Sequence, residues 1–354
     1  MSASGPLRFL IPGDPSIPTG GYRYDRRIID GLIHAGRWVK IERLDDSFPR
    51  PTVAALVEAE RCFAGLPDGT SVVVDGLAFG LLGESAARHR GRLGLIALVH
   101  HPLALETGLD PTRVEALRIG ETAALASARL VVVTSDATAD LLAGDYGVSR
   151  TRIRVVEPGT DVAPLAVGSG ASAPNLLCVA AITPRKGHDI LLQALASLTE
   201  RSWRLDCVGS LTRCPATSAA VQRFSDQSGL SERVRFTGEV DESQLAALYH
   251  RADLFVLPTR FEGYGMVLTE ALARGLPIVS TRTGPIPSLV PRDAGLLVEP
   301  DDPAALRAAL ARVLDDSGLR AGLVAGARSA LPRLRSWDAA STDFMDVLDE
   351  VCNG

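Results

Sequence analysis

The chain has 354 residues, of which 46% are hydrophobic and 22% are charged, with a net charge of −5. This length suits two domains, and the composition is that of a globular protein. The weakly acidic balance excludes a general basic surface for nucleic acid, so no nucleic-acid partner is expected. The five cysteines are scattered, odd in number and without a C-x-x-C pair. This pattern argues against a disulfide or zinc framework and favours a reducing compartment.

No apolar run is long enough to span a membrane, and residues 1–6 lack the basic and apolar regions of a signal peptide. We therefore expect a cytoplasmic protein without a transmembrane segment. The arginine-rich segment Tyr22–Arg27 leaves peripheral membrane contact or an anionic acceptor open, although a solvated helix face is the simpler interpretation.

The first half of the chain alternates short apolar runs with longer amphipathic segments. The runs predict strands at Leu7–Ile11, Val39–Leu44, Ser71–Val74, Gly94–Val99, Leu130–Thr134 and Ile153–Glu157. The longer segments predict helices at Tyr22–Ala35, Val53–Ala64, Thr112–Ala128 and Asp136–Asp145. Such alternation predicts a parallel sheet with helices on both faces, and near-continuous Val, Leu and Ile fits strands that are buried on both sides.

A break in the alternation divides the chain, because residues 158–174 have the Pro, Gly, Ser and Ala content of a linker. Strands are predicted again at Asn175–Ala180, Arg204–Val208, Val234–Thr237, Leu254–Leu257, Pro277–Ser280 and Gly295–Val298. Helices are predicted between them at Asp189–Thr199, Ala216–Ser228, Glu242–His250, Met266–Ala273 and Pro303–Asp315. A last helix is predicted at Trp337–Val351.

We therefore predict an α/β protein with two doubly wound parallel-sheet domains. The first covers residues 1–160, a linker covers 161–174, and the second domain covers 175–335. The last helix, within 336–354, is expected to pack back on the first domain. Ligands bind at the carboxyl ends of parallel strands, so a cleft between the two domains is the expected site.

The stretch Arg260–Glu270 is the most informative part of the sequence. The buried strand Leu254–Leu257 precedes it, and the turn Gly263–Gly265 leads directly into a helix. A strand, glycine loop and helix in this order present backbone N–H groups and a positive helix end, which suit a phosphate. The carboxylates of Glu262 and Glu270 would repel a phosphate and are better suited to sugar or ribose hydroxyls. A loop that can hold both a diphosphate and hydroxyl groups suggests a nucleotide-sugar.

Two cations follow the first strand of the second domain, in Thr183–Asp189. Arg185 and Lys186 lie on the loop at that strand's carboxyl end, just before a helix. Cations there could neutralise a diphosphate leaving group. A solvated basic loop is the alternative, but the expected proximity of Glu262 and Glu270 favours the functional interpretation.

The first domain offers weaker signals. Gly20 and Gly21 lie between the first strand and its helix, where a backbone could approach a phosphate or a sugar, although an ordinary turn explains them as well. His100 and His101 follow the fourth strand at its carboxyl end, and Glu106 lies on the same loop. Of the three, His100 is the strongest candidate for a functional residue.

No spacing resembles a catalytic triad, and no histidine clusters with carboxylates in a metal-ligand pattern. We therefore predict no metal site.

At this point the chain resembles the retaining glycosyltransferases of family 4, which have the GT-B fold of two Rossmann-like domains facing a central cleft. The resemblance covers most of the sequence. The segments that carry it are Gly20–Gly21, the His100 loop, Arg152–Asp161, Pro184–Gly187, Phe236–Val240, Ala252–Pro258, Glu262–Glu270 and Ala271–Pro277.

The resemblance implies a role for each residue. By this resemblance Glu270 holds the nucleotide ribose and Glu262 contacts donor-sugar hydroxyls. Lys186 stabilises the leaving phosphates, and His100 lies near the transferred sugar. The predicted catalytic residues are His100, Arg185, Lys186 and Glu262. The predicted donor-binding residues are Gly20, Gly21, Thr183, Gly238, Val240, Gly263, Tyr264, Gly265, Met266, Val267 and Glu270. Among these, the backbone from Tyr264 to Val267 meets the diphosphate, and the backbone of Thr237–Val240 lines the base pocket.

The activity implied by the resemblance is metal-independent transfer of a sugar, with retention, from a UDP- or GDP-sugar to an unidentified acceptor. The donor is a substrate, so no cofactor is expected. One departure from the family pattern is Ala181, which stands where an arginine for the phosphates is usual; Arg185 on the same loop could replace it.

Two other functions stay open from the sequence. A nucleotide-sugar epimerase or hydrolase of the same fold would convert the donor without an acceptor. A non-catalytic nucleotide-sugar binding protein would bind the donor and not convert it.

Overall fold

The computed structural model describes residues 7–353, with side chains described through residue 351. The expectation that residues 1–6 are not a signal peptide falls outside the described residues. The chain divides into two compact units. Unit 1 consists of the described residues up to Gly159 together with those from Arg335 onward, and unit 2 is Thr160–Leu334.

Unit 1 contains six strands. They are β1 (Leu7–Pro12), β2 (Val39–Leu44), β3 (Ser71–Asp75), β4 (Gly94–Val99), β5 (Leu130–Val133) and β6 (Ile153–Val155). Its helices before residue 159 are α1 (Gly20–His34), α2 (Val53–Ala64), α3 (Gly76–Phe79), α4 (Gly83–His89), α5 (Pro111–Ser127) and α6 (Asp136–Asp145).

The strands of unit 1 form one parallel sheet in the order β2-β1-β3-β4-β5-β6. The central strands are runs of Val, Leu and Ile whose side chains are almost completely buried, as expected for a sheet covered on both faces. Several helices begin at a side chain that accepts a backbone N–H: Thr19 for α1, Thr52 for α2, Asp110 for α5 and Ser135 for α6.

Unit 2 contains the other six strands. They are β7 (Asn175–Val179), β8 (Arg204–Val208), β9 (Val234–Gly238), β10 (Leu254–Leu257), β11 (Ile278–Thr281) and β12 (Gly295–Val298). Its helices are α7 (His188–Ala196), α8 (Pro215–Gln227), α9 (Glu242–His250), α10 (Met266–Ala273), α11 (Ile286–Leu289), α12 (Pro303–Asp315) and α13 (Ser317–Ala330).

The strands of unit 2 are also all parallel, in the order β12-β11-β10-β7-β8-β9. The core lies on both faces of this sheet, and its largest buried side chains include Trp203, Tyr249 and Phe255. Part of the linker-like stretch packs onto this unit, because the backbone N–H of Ala166 donates to Arg274 and that of Val167 donates to His250.

The chain returns to unit 1 in helix α14 (Trp337–Asn353), which packs against α1. Phe344 of α14 contacts Phe9 of β1, with ring centroids 5.9 Å apart. Gly31 of α1 lets the two helices approach closely, since a Cβ at this position would overlap Ser341 Oγ.

The predicted α/β class with two doubly wound sheets is confirmed. Helices α3, α4, α11 and α13 were not predicted. Three of them are short, and α13 contains three glycines, which weaken the helical signal of a sequence. Among the described residues, no helix combines the length and the apolar character needed to cross a membrane.

We expect Gly31→Ala to destabilise unit 1 by about 1–3 kcal/mol, because the new methyl group is forced against Ser341 in a packed helix interface. Gly144→Ala is the matched control, since a Cβ there meets no atom within 4 Å. In an exposed helical position this change should stabilise slightly. Urea unfolding of both variants measures the difference. Equal midpoints, or no recovery when Ser341→Gly is added to Gly31→Ala, would contradict this account of the helix contact.

Candidate active site

Each sheet has one topological switch point, where the first strand of the unit is flanked by strands whose connections run in opposite directions. In unit 1 this point lies between β1 and β3, and in unit 2 it lies between β7 and β10. The loops that leave the carboxyl ends of such a strand pair separate and open a crevice in which ligands bind. Most of the predicted site residues lie on the loops at these two points or in the first turns of the helices that follow those loops.

At the switch point of unit 2, Glu262 is held by two cations from the neighbouring loop. Lys186 Nζ donates to Glu262 Oε1 at 2.5 Å, and Arg185 Nη1 lies 3.8 Å from Glu262 Oε2. Arg185 Nη1 also donates to the carbonyl of Phe261 at 2.9 Å. Three of the predicted catalytic residues therefore form one cluster.

The backbones of the two loops are joined as well. Arg260 N–H donates to the carbonyl of Arg185 at 2.7 Å, and the Thr259 hydroxyl donates to the same carbonyl at 3.0 Å. Gly187 makes this approach sterically feasible, because it has a left-handed φ of 70° and any Cβ would collide with the carbonyl oxygen of Pro258. The sequence Pro-Arg-Lys-Gly thus holds the two cations beside β10.

The protonation state of Glu262 follows from these contacts. Its side chain is almost fully buried, which by itself raises the pKa of a carboxyl group. Lys186 and Arg185 outweigh that effect and hold the pKa of Glu262 below its ordinary value. Glu262 is therefore ionised at neutral pH and acts as a hydrogen-bond acceptor.

The glycine turn leads into α10 as the sequence predicted. Gly265 has φ 99° and precedes the helix in a left-handed conformation, with no side chain capping the first turn. The helix therefore begins at Met266 and Val267 with backbone N–H groups at its positive end, a recognised anion-binding geometry. Gly263 and Tyr264 complete the turn, and Tyr264 is buried.

Glu270 lies one turn into α10 and is almost fully buried. The Tyr249 hydroxyl donates to Glu270 Oε2 at 3.1 Å, which fixes the carboxylate. The Tyr249 ring is in turn covered by the guanidinium of Arg274, 4.3 Å from the ring centroid. Tyr249 was not identified from the sequence, because nothing in its spacing marks a contact with a helix that starts 17 residues later.

The other predicted donor-binding residues of unit 2 lie on the loops after β7 and β9. Thr183 Oγ1 is buried and has no hydrogen-bond partner within residues 7–353. Gly238 ends β9 with φ 71° and accepts from Gly209 N–H at 3.0 Å, and Val240 packs against the core. Ala181 lies on the same loop as Thr183, and a Cβ on Gly209 would crowd its backbone nitrogen.

In unit 1, His100 lies within a group of buried carboxylates that the sequence did not predict. His100 Nε2 is 3.0 Å from Asp25 Oδ1 and 3.9 Å from Asp75 Oδ2. Asp25 and Asp75 are 0% and 2% exposed. One ligand atom from each of the three side chains lies within 4.8 Å of the others. The expectation that no histidine groups with carboxylates is therefore wrong, because three distant segments converge at the switch point.

Packing fixes the plane of the His100 ring. Tyr24 meets it edge-on with centroids 5.3 Å apart, and the Tyr24 hydroxyl donates to the carbonyl of Val156 at 2.9 Å. Gly21 of the same helix as Tyr24 also lies against the ring, since a Cβ there would be 3.1 Å from His100 Cδ2. Gly20 and Gly21 form the first turn of α1 and are not loop residues as predicted, because Thr19 caps the helix just before them.

The loop after His100 is held by another buried carboxylate that the sequence did not reveal. Glu121 Oε1 accepts from Leu103 N–H at 2.6 Å, and its Oε2 accepts from Ala104 N–H at 3.0 Å. His101 Nε2 lies 3.6 Å from Glu106 Oε2 at a more exposed position. Glu121 thus fixes the backbone that carries both histidines.

The sequence does contain signals for Asp25 and Asp75. Asp25 precedes Ile28, Ile29 and Leu32 at helical spacing, so it occupies a position on the apolar face of α1. Asp75 directly follows the apolar run that forms β3, at a strand's carboxyl end.

Comparison with known proteins agrees with this geometry. The doubly wound units, with a cation–carboxylate cluster and a glycine turn in the second, define the GT-B class of glycosyltransferase fold. Residues 173–316 match the family model described as glycosyl transferases group 1, and residues 23–163 match the one described as glycosyltransferase family 4. The chain belongs to the family 4, or group 1, glycosyltransferases.

Two curated relatives are both named D-inositol 3-phosphate glycosyltransferase. The one from Nocardioides sp. is 30% identical over 348 residues, which cover 89% of this chain and 74% of the relative. The one from Xylanimonas cellulosilytica is 32% identical over 246 residues, covering 65% of this chain. The chain matches 58% of that relative's length.

Solved structures share the fold. Sucrose-phosphate synthase from Thermosynechococcus elongatus has a TM-score of 0.80 at 21% identity, and the match covers 98% of this chain and 99% of the other. Anabaena HepE, solved with UDP-glucose, has a TM-score of 0.76 at 17% identity and covers 97% of this chain and 100% of its own.

We expect Glu262→Ala to destabilise unit 2 by about 3 kcal/mol at neutral pH, because it leaves the ammonium of Lys186 partly buried without its carboxylate. The effect should shrink as the pH falls. The pKa of Glu262 is depressed, so its stabilisation is present above the ordinary value near 4.5 and is lost as the pH falls through the folded value.

Asp315→Ala is the control for this change. It removes an exposed ion pair with Arg201 in the same unit and should cost less than about 1 kcal/mol. Chemical unfolding between about pH 3 and pH 7 measures both variants. A loss for Glu262→Ala no larger than that of the control would show that the buried cluster does not depend on this carboxylate.

Proposed function

We propose that the chain transfers a sugar from a nucleoside diphosphate-sugar to an acceptor hydroxyl, with retention of anomeric configuration and without a metal ion. The observation that carries the proposal is the Lys186–Glu262–Arg185 cluster beside the uncapped start of α10. It combines two cations, an ionised acceptor and helix N–H groups at one switch point. These are the groups that a diphosphate and a sugar require together.

The donor's parts are assigned to groups of unit 2. In this proposal the N–H groups at Met266 and Val267 and the ammonium of Lys186 bind the diphosphate. Glu270 binds the ribose, and Glu262 binds the donor-sugar hydroxyls. The backbone at Gly238 and Val240 contacts the base. A UDP-sugar is the first donor to test, because HepE, which shares the fold, was solved with UDP-glucose.

The reaction proposed balances without an enzymic nucleophile. The bond between the anomeric carbon and the β-phosphate oxygen breaks, and its electron pair stays on the diphosphate. The acceptor oxygen forms a new bond to the same face of that carbon, and its proton passes to the departing phosphate oxygen. The protein contributes orientation and stabilises the negative charge that develops on the diphosphate. Arg185 supplies the second cation of the loop on which Ala181 stands.

The acceptor is assigned only as a hydroxyl compound. D-inositol 3-phosphate belongs in the first acceptor panel because the curated relatives carry it in their names. Donor turnover without any acceptor serves as the baseline, since an epimerase or a hydrolase would consume the donor alone.

We expect Lys186→Ala to lower kcat about 10²–10³-fold, because it removes one preorganised charge from the developing diphosphate. Release of free nucleoside diphosphate measures the rate. Lys40→Ala is a matched control, since Lys40 and Lys186 are the two lysines of the chain and Lys40 lies in unit 1, paired with Glu42. Near wild-type turnover of a folded Lys186→Ala protein would overturn the assignment.

The assignment of Glu270 predicts a different kinetic pattern. Glu270→Gln should weaken binding of the free nucleoside diphosphate about 10-fold, since one charge-assisted hydrogen bond to the ribose becomes a neutral one. Glu262→Gln should not weaken affinity for the free nucleotide, because the sugar is absent and the charge of Lys186, no longer neutralised by a carboxylate, stays available to the diphosphate. Calorimetric titration with UDP compares the two variants. Equal losses in both would refute the separate roles.

A further inference from the structure

We propose that Asp25 and Asp75 share a single proton and act as a positioning pair for His100, holding the imidazole neutral with its proton on Nε2. The inference rests on the proposed function in one respect, namely that His100 acts in sugar transfer. It otherwise concerns the chemistry of three buried groups in unit 1.

In each of the two carboxyl groups one oxygen has a hydrogen-bond partner and the other does not. Asp75 Oδ1 accepts from Leu77 N–H at 2.6 Å at the start of α3, and Asp25 Oδ1 faces His100 Nε2 at 3.0 Å. Asp25 Oδ2 and Asp75 Oδ2 are buried, and neither has a donor among the residues that the structure describes. A buried acceptor without a donor is costly, so a missing hydrogen is expected there.

A proton between the two carboxyl groups supplies that hydrogen. One oxygen of each carboxyl group lies within 4.8 Å of the other, and two adjacent carboxylates cannot both stay ionised away from water. Burial raises the pKa of both groups. The charge of Asp25 raises the pKa of Asp75 further, whereas the contact with Asp75 lowers that of Asp25 without cancelling the effect of burial. Because the pKa of Asp25 is raised to about 7 and that of Asp75 well above its ordinary value, the pair carries one proton and one negative charge from about neutral pH upward.

The remaining charge is directed at His100. Burial lowers the pKa of His100, so the imidazole is neutral and carries one ring proton. Since Nε2 lies 3.0 Å from an ionised oxygen of the pair, the proton belongs on Nε2. Nδ1 then has a lone pair, and Tyr24 and Gly21 of α1 pack against the ring. The pair thereby selects the tautomer that His100 presents.

Few other titratable groups face the cluster. Arg26 on α1 lowers the pKa of Asp25 through its charge, and the Tyr24 phenol beside His100 has a pKa raised by burial. Neither supplies a proton to the Oδ2 atoms at neutral pH. The state of the pair therefore depends on solvent pH, and loss of the shared proton places a second negative charge beside His100.

The sign of the stability effect follows from the raised pKa. The pair stabilises unit 1 fully below the ordinary aspartate pKa. It loses part of that contribution as the pH rises through the pKa of Asp25, about 7, and the rest at higher pH, where the shared proton leaves. Asp75→Asn removes the second step, because an amide N–H takes the place of the shared proton. The wild type should therefore lose stability relative to Asp75→Asn as the pH rises above about 8.

The first experiment observes the proton on His100 itself. With ¹⁵N-histidine, the chain gives six imidazoles, and His100→Gln assigns one of them. We expect wild type and Asp75→Asn to show a protonated Nε2 and an unprotonated Nδ1 at neutral pH. We expect Asp75→Ala and Asp25→Ala to show mixed tautomers or a pH-dependent ring. A wild-type ring that is fully cationic, or is protonated on Nδ1, would overturn the proposal.

The second experiment measures kcat and asks whether the amide of Asp75→Asn restores the activity that Asp75→Ala loses. Asp75→Ala should lower kcat at least 10-fold with little change in KM for the donor, and Asp75→Asn should recover most of that loss. Asp75→Asn should also shift the alkaline limb of the pH–rate profile upward. Equal losses in the two variants, or unchanged pH profiles, would contradict the shared proton.

The alternative is that Asp25, Asp75 and His100 bind a divalent cation, and this alternative predicts a different outcome for Asp75→Asn. The purified chain would then contain the ion, EDTA would inactivate it, and Asp75→Asn would lose both the ion and the activity. The experiments distinguish an error in the proposed function from an error in this inference. If wild type turns over no nucleotide-sugar, the ring spectrum and the pH dependence of unfolding still decide whether the proton is shared.

Discussion

The ion pair between Glu262 and Lys186 is the contact on which the candidate donor site depends. In a doubly wound sheet the loops after β7 and β10 separate at the switch point, and the crevice between them is where a ligand fits. Lys186 and Arg185 reach across to Glu262, and the backbone of Arg260 bonds to that of Arg185. These contacts join the two cations to the loop that carries the glycine turn into α10.

Unit 1 also buries carboxylates at its switch point, but it compensates their charge in a different way. Both switch points place carboxylates out of water, where an uncompensated charge is strongly unfavourable. In unit 2 two side-chain cations keep Glu262 ionised and depress its pKa. At Asp25 and Asp75 no cation makes a comparable contact within the described residues, and burial raises both pKa values. One site therefore carries fixed charge at neutral pH, and the other responds to pH.

The sequence was sufficient to predict the sheets and the proximity of Arg185 and Lys186 to Glu262. Runs such as Leu254–Leu257 are strands by composition alone, and cations after β7 must lie near residues after β10 once both strands are parallel neighbours. Asp25 and Asp75 were missed for a physical reason. Their chemistry depends on burial and on mutual distance, and neither quantity is encoded in the local pattern of α1 or β3.

Stability alone does not account for the buried ion pair of unit 2. Well-packed apolar side chains in place of such a pair commonly leave a protein equally stable or more stable, because charges lose much hydration on burial. The pair also occupies the switch point, next to a helix start without a capping side chain and to the buried Thr183 hydroxyl. A ligand with phosphates and hydroxyls can use every one of these groups. We therefore take the cost of burying Glu262 and Lys186 as the physical sign that this crevice is built for such a ligand.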